Sequence, residues 1–531
     1  MSSYAIKSLF WLIISTSIIC NILGRPNILV LLTDDQDVLL GSLDHMPQLN
    51  ALIRQEGTTL EGGFVHTPIC CPSRSSILTG RYIHNGGARD NTRKGNCYGE
   101  EWKITEQTAS LGVWAQEAGY KTGYSGKYLN NYGFDKDSEI EVPPGWNEWF
   151  GLVGNSVYYN YSLVESRDNG QPQTKSESES KSRARSYTVY THGEDYSTDY
   201  LPNVLTRHSL NVMEEFLSSK DPFLMVHAWP TPHQPFTPAP WATNKFSDLT
   251  APRTPNFNAS WASQSQKHWI MRQMQPINST DLDLINDFYH SRVESLLSVD
   301  DHVRQFVELL DRHDQLDNTY ILYTSDNGFQ MGQHRLAYDK RHLYEHDLRV
   351  PFLLRGPAIP PNHTLKGHDC LALNIDIAPT ILDMIQHPNP PILDGTSLLQ
   401  CFKSTQSQRI DFLVSYFGEF QQPCELWWCP PGPKNGFSFP IDSRNNTYDC
   451  IRTWSKSENS IFCVFELEQN FVEYYDLTID PWQLNNTQSA LSPSTRDHYM
   501  QRMKYLKSCK GLSCHELPPT RPDSWIRHVD K

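Results

Sequence analysis

The sequence predicts an α/β fold: a large, mainly parallel sheet flanked by helices, followed by a smaller C-terminal α+β domain. Three observations predict it. Several short runs are continuously apolar and β-branched, the pattern of strands buried on both faces. Helical patterns lie between them, so strands alternate with helices. From about Arg409 onward the texture changes to clustered Trp, Cys and Pro.

Residues 1–24 read as a cleavable targeting segment. Lys7 supplies the positive start, Leu9–Cys20 (LFWLIISTSIIC) is apolar but too short to span a bilayer, and small residues reach Gly24. Asn27–Thr33 (NILVLLT) is the first buried strand. Ser110–Ala118 has helical periodicity. Glu165–Ser186 (ESRDNGQPQTKSESESKSRARS) holds no core-forming residues and reads as a flexible surface loop. Phe223–Ala228 (FLMVHA) is a second strand, Val293–Leu310 a second helix, and Tyr320–Thr324 and Val350–Leu354 two more strands. The main domain is expected over 25–408 and a disulfide-stapled domain over 409–531.

The bulk properties exclude several classes. The 531 residues are 38% hydrophobic and 20% charged, enough for a sizeable core. The net charge is −14 and no basic tract suggests nucleic acid. An anionic substrate must therefore be met by a local cluster of Lys, Arg and His. No segment after the leader is apolar enough to span a membrane, so passage through the secretory pathway is expected. Twelve cysteines fit that oxidising route. The spacings Cys424/Cys429, Cys450/Cys463 and Cys509/Cys514 invite local disulfides. Sequons at Asn160, Asn258, Asn278, Asn362, Asn445 and Asn485 are candidate glycosylation sites.

The chemistry lies at strand ends. Asn27–Thr33 runs into Asp34-Asp35, and Tyr320–Ser325 runs into Asp326-Asn327-Gly328. In open α/β sheets ligands bind at the carboxyl ends of strands. One such end would read as a helix cap. Two, both dense in oxygen donors, suit a hard cation, Ca²⁺ or Mg²⁺, rather than zinc. Residues 70–81 (CCPSRSSILTGR) open on two adjacent cysteines, which lack the spacing of a redox pair or a zinc site. The plain reading is one buried free cysteine beside one disulfide cysteine. His227, inside an apolar strand, reads as a core residue, while His334 and His346 lie near the second oxygen-donor pair, Asp326-Asn327.

Cys70-Cys71-Pro72-Ser73-Arg74, followed by Leu78-Thr79-Gly80-Arg81, resembles the signature of the type I sulfatases. Other motifs of that family follow in order: Thr33-Asp34-Asp35-Gln36, Gly126-Lys127-Tyr128, Thr231-Pro232-His233-Gln234-Pro235, Ser325-Asp326-Asn327-Gly328, and Lys340 before Tyr344-Glu345 and Arg349-Val350-Pro351. Stretches such as GKYLNNYG (126–133), VPPGWNEW (142–149) and KHWIMR (267–272) most resemble the N-acetylglucosamine-6-sulfatase group.

The resemblance implies an alkaline-phosphatase-like sulfatase fold. It implies that Cys70 is oxidised to formylglycine (3-oxoalanine) by the formylglycine-generating enzyme, with Cys71 a buried bystander. In the family one hydroxyl of the hydrated aldehyde attacks sulfur and the second releases sulfate. The implied metal ligands are Asp34, Asp35, residue 70, Asp326 and Asn327, usually around Ca²⁺. The implied catalytic residues are Cys70, Arg74, Lys127, His233 and Lys340. The substrate would be the 6-sulfate of N-acetylglucosamine in heparan or keratan sulfate, and the destination the lysosome, with secretion the alternative. An extracellular glucosamine endo-6-sulfatase, a phospho- or phosphonate hydrolase of the same superfamily, and a non-catalytic glycan-binding relative stay open. One departure stands out: many sulfatases carry histidine two positions after the motif lysine, where this chain has Leu129.

Overall fold

A computed structural model describes residues 24–134, 140–168, 186–403, 409–419, 442 and 444–516. The leader segment, Cys424/Cys429 and residues 169–185 of the polar tract lie outside them. Ten strands form the main sheet: β1 (Asn27–Thr33), β2 (Thr58–Leu60), β4 (Lys121–Lys127), β5 (Glu148–Leu152), β6 (Ser162–Arg167), β7 (Thr188–Thr191), β8 (Phe223–Ala228), β9 (Thr319–Ser325), β10 (Phe352–Arg355) and β11 (His363–Leu365). Their order is β11-β2-β10-β9-β1-β8-β4-β5-β6-β7. The central run β9-β1-β8-β4-β5 is parallel throughout. Every side chain of β1 and of β8 is buried, which is why both read as unbroken apolar runs. β3 (Gly62–Phe64) and β12 (Leu371–Leu373) make a separate parallel pair.

The flanks differ from the sequence reading. The expected strand Val350–Leu354 is Phe352–Arg355 and pairs antiparallel with β9. Burial of both faces is common to parallel and antiparallel neighbours in a sandwiched sheet, so apolarity alone does not reveal direction. The tract from Glu165 is not loop throughout: Glu165–Arg167 continue β6, paired with β5 and β7. The expected helix Val293–Leu310 is the C-terminal half of Ser279–Arg312, whose more polar first turns begin at an Asn278–Asp281 capping box.

The C-terminal part is an antiparallel sheet, β13 (Asp411–Tyr416), β14 (Tyr448–Trp454), β15 (Asn459–Phe465) and β16 (Phe471–Asp476), with the helix Pro493–Leu506. Its apolar face shares a core with Phe64, Tyr82, Ile270 and Leu371 of the larger part. Cys450 and Cys463 face each other across β14 and β15 and are bridged, as are Cys509 and Cys514. Two further disulfides join Cys71 to Cys97 and Cys370 to Cys401. Cys71 is therefore no mere bystander, although it is buried. Among the described residues Cys70 is the free cysteine.

Candidate active site

Register brings the two pairs of oxygen donors together, three carboxylates and one amide. β1 and β9 run parallel with Thr33 opposite Ser325, so Asp34-Asp35 and Asp326-Asn327 leave the same sheet edge side by side. On the other side of β1, β8 leads to His233, and β4, next in the sheet, ends at Lys127. Gly126 is required there. A Cβ at this position would lie 1.9 Å from the Ala228 carbonyl oxygen, and its φ is +111°. Asp35 adopts φ +68°, a left-handed turn that aspartate tolerates. Cys70 is the first residue of the helix Cys70–Thr79, so the thiol sits at the positive end of the helix.

The side chains form one buried cluster. Lys127 Nζ donates to Asp34 Oδ2 at 2.7 Å, and Lys340 Nζ to both Asp35 oxygens at 2.5 and 2.6 Å. Arg74 Nε donates to Asp326 Oδ2 at 2.8 Å and Nη1 to the Lys127 carbonyl at 2.8 Å. Asn327 Nδ2 donates to Asp35 Oδ1 at 2.8 Å. Cys70 Sγ lies 3.8 Å from Asp34 Oδ1 and 4.0 Å from Asp35 Oδ1. His233 donates from Nδ1 to the Gln234 carbonyl at 2.7 Å, leaving Nε2 facing Asp35 Oδ2 at 3.8 Å.

Burial works against ionisation of Asp34, but Lys127, His233, Arg74 and Lys340 hold its carboxyl well below the usual range. Burial and the neighbouring Asp34 work against ionisation of Asp35 too, but Lys340 above all, with His233 and Lys127, lowers it. Burial pushes Asp326 up to about 6, helped by Asp34 and opposed by Arg74. Burial pushes the Cys70 thiol up to about 12 despite both lysines. An unmodified thiol here is protonated and a poor nucleophile. Burial lowers His233 to about 4, so its imidazole is neutral.

The donor set fits a hard cation. Asp34, Asp35, Cys70 and His233 offer ligand atoms within 4.8 Å of one another. Asn327 Oδ1 is buried beside them without a hydrogen-bond partner among the described residues, the state of an oxygen that a cation would satisfy.

Several residues here carried no sequence signal. Ser156 Oγ donates to Asp34 Oδ2, the oxygen that Lys127 also holds. Arg292, from the long helix, donates to Asp37 Oδ1 at 2.8 Å and to the Asp35 carbonyl, bracing the turn. Neither lies in a motif; their distance along the chain hides them. Leu129 is fully buried in the apolar core. His227 is a core residue bonded to Ser209. His334 bonds Asn256, and neither it nor His346 joins the ligand group.

This cluster on this sheet defines a metal-assisted ester hydrolase. The chain belongs to the sulfatase family, whose model matches residues 26–387, and it is a sulfuric ester hydrolase. That family uses a formylglycine and a metal ion. It is 40% identical over 501 residues to the N-acetylglucosamine-6-sulfatase of Homo sapiens, covering 92% of this chain and 86% of that protein. It is 38% identical over 379 residues to a putative extracellular sulfatase Sulf-1 homolog of Caenorhabditis elegans, covering 71% of this chain but 49% of that protein. Among solved structures, a protein captured "in complex with its substrate D-glucosamine-2-N, 6-O-disulfate" superposes with a TM-score of 0.66. It is 22% identical and covers 91% of this chain and 97% of that one, a likeness of fold. No helix among the described residues is long and apolar enough to cross a membrane.

Proposed function

We propose that the protein is an exo-acting sulfatase that hydrolyses the 6-sulfate of N-acetylglucosamine residues in heparan or keratan sulfate. In this reading residues 25–408 are the catalytic domain and 409–531 a smaller supporting one. The chain enters the secretory pathway and is delivered to the lysosome. The formylglycine-generating enzyme converts Cys70. What carries the reading is the pair of buried lysines, Lys127 on Asp34 and Lys340 on Asp35, flanking Cys70 at a helix N-terminus. The 40% identity to N-acetylglucosamine-6-sulfatase over nearly the whole chain supports the sugar.

Asp34, Asp35, residue 70, Asp326 and Asn327 would hold Ca²⁺, which when bound polarises sulfate oxygens. The hydrated aldehyde at position 70 supplies the nucleophilic hydroxyl. Lys127 and Lys340 clamp the sulfate as compact charges that are already oriented by Asp34 and Asp35. Arg74 holds Asp326 in place and offsets its charge. His233, with Nδ1–H committed to Gln234, presents Nε2 to the site. There it binds sulfate or relays a proton to the leaving alcohol.

The test is sulfate release from N-acetylglucosamine 6-sulfate and from oligosaccharides carrying that residue at the non-reducing end or internally. Release from the terminal residue alone is the expected result. Equal release from internal residues would move the protein to the endo-acting class. No release, in protein carrying the aldehyde, would refute the substrate.

A further inference from the structure

One guanidinium stands where three strand ends of the main sheet meet. Arg292 belongs to the long helix Ser279–Arg312 and is 1% exposed. Its Nη2 donates to the Asp35 carbonyl, just beyond β1, and to Asp37 Oδ1 at 2.8 Å. Its Nη1 donates to the Pro232 carbonyl, beyond β8, at 3.3 Å. Its guanidinium carbon lies 4.4 Å from the centre of the Phe329 ring, two residues past Asn327 and beyond β9.

Two of these contacts adjoin working residues. The Pro232 carbonyl is part of the peptide that enters His233. On the other side of that residue the Tyr158 hydroxyl donates to the His233 carbonyl at 2.9 Å. Both flanking peptides of His233 are thus gripped, while its ring stands 3.8 Å from Asp35. Asp35 is held in the same way at both ends of its backbone. Its N–H donates to Asp326 Oδ1 at 2.9 Å and its carbonyl accepts from Arg292. Its left-handed φ of +68° is one that a residue with a Cβ keeps only where its surroundings impose it. The charge of Arg292 is already matched by Asp37, with the two side chains 1% and 0% exposed. Arg292 therefore adds geometry to the site and no net charge.

We propose that Arg292 is a positioning residue that sets Asp35 and His233 against each other. One nitrogen of its fork locks the turn that carries the carboxylate, and the other locks the peptide that carries the imidazole. Two carbonyls on two separate loops call for two donors at fixed spacing, which the planar guanidinium has and an ammonium lacks. The inference rests on the roles given to Asp35 and His233 under the proposed function.

Arg292→Lys separates geometry from charge, because it keeps a cation beside Asp37 and loses the fork. Its melting temperature is expected to stay close to the parent's and above that of Arg292→Met. Its Kd for Ca²⁺ by calorimetry should nevertheless rise about 10- to 100-fold. Its kcat for sulfate release from N-acetylglucosamine 6-sulfate, normalised to the aldehyde content at position 70, should fall by about the same factor. A brace that served the fold alone would move affinity and kcat only in step with melting temperature across the two variants, and that result would overturn the proposal. So would a Kd and a kcat within about threefold of the parent's in Arg292→Lys. Tyr158→Phe supplies a measurement that leaves Arg292 in place. It should lower kcat about tenfold and leave Ca²⁺ affinity unchanged, since the hydroxyl grips the His233 peptide alone. An unchanged kcat there would show that His233 needs no grip and would also overturn the proposal. Absence of Ca²⁺ binding by the unaltered protein would instead refute the metal role of Asp35. Ca²⁺ binding without sulfate release from this sugar would refute the substrate, and the calorimetry would then decide the positioning.

Discussion

Replacing Lys127 with methionine tests the charge balance of the site. Lys127 is fully buried, and its ammonium lies 2.7 Å from Asp34 Oδ2. With Lys340 and Arg74 it offsets the charges of Asp34, Asp35 and Asp326, so the six groups cancel. Lys127→Met leaves one uncompensated negative charge in a buried cluster, at a cost of about 3–5 kcal/mol. A divalent cation turns that −1 into +1 and supplies Asp34 with a new partner. The melting temperature should therefore fall more in metal-free protein than in protein loaded with Ca²⁺. Turnover loses a preorganised clamp on developing charge, worth roughly 10²- to 10³-fold in kcat. The assay is sulfate release by ion chromatography, normalised to the aldehyde content at position 70 by peptide mass spectrometry. A normalised kcat within about fivefold of the unaltered protein would refute the clamp. A melting shift indifferent to Ca²⁺ would refute the charge argument.

Cys70→Ser keeps one hydroxyl and offers none to expel sulfate, so it should give at most a stoichiometric transfer and no turnover in a burst assay. Metal affinity should fall with pH. Asp326 has its carboxyl raised to about 6 in the metal-free site, so below that value a proton must leave before a cation binds. The apparent Kd for Ca²⁺ by calorimetry should then rise roughly tenfold per pH unit below 6 and level off above it. Cys71→Ser opens a disulfide of sequence separation 26, which constrains the unfolded chain by about 3.5 kcal/mol on the loop-entropy relation. A denaturation midpoint equal to the parent's would contradict this. Glycopeptide mapping should find Asn160, Asn278, Asn362, Asn445 and Asn485 modified, since all are exposed. Asn258 should be bare, because both its amide atoms bond the Ile277 backbone.

The central strands and the oxygen-donor pairs at their ends were legible in the sequence because their signals are local. β1 and β9 are unbroken apolar runs, and each ends in a pair of oxygen donors. The direction of β10 was not legible, since the same burial results from either orientation. The two cysteine readings at 70–71 divided on the same principle. A free thiol beside a bridged one could be inferred from adjacency, but its partner, Cys97, is set by where the chain returns.

The sequence by itself determined the chemistry on offer: which strand ends carry carboxylates, which lysines and histidine follow them, and which cysteine heads the helix. Those features need only neighbours along the chain. The tertiary structure alone decided who meets whom. Ser156 and Lys127 share one oxygen of Asp34 across 122 and 93 residues, and Arg292 braces Asp37 across 255. Glu419 accepts from the Asn91 N–H and from Arg341, joining three distant segments. Hydrogen bonds and ion pairs depend on distance in space, and only packing of the sheet against its helices brings such partners within reach.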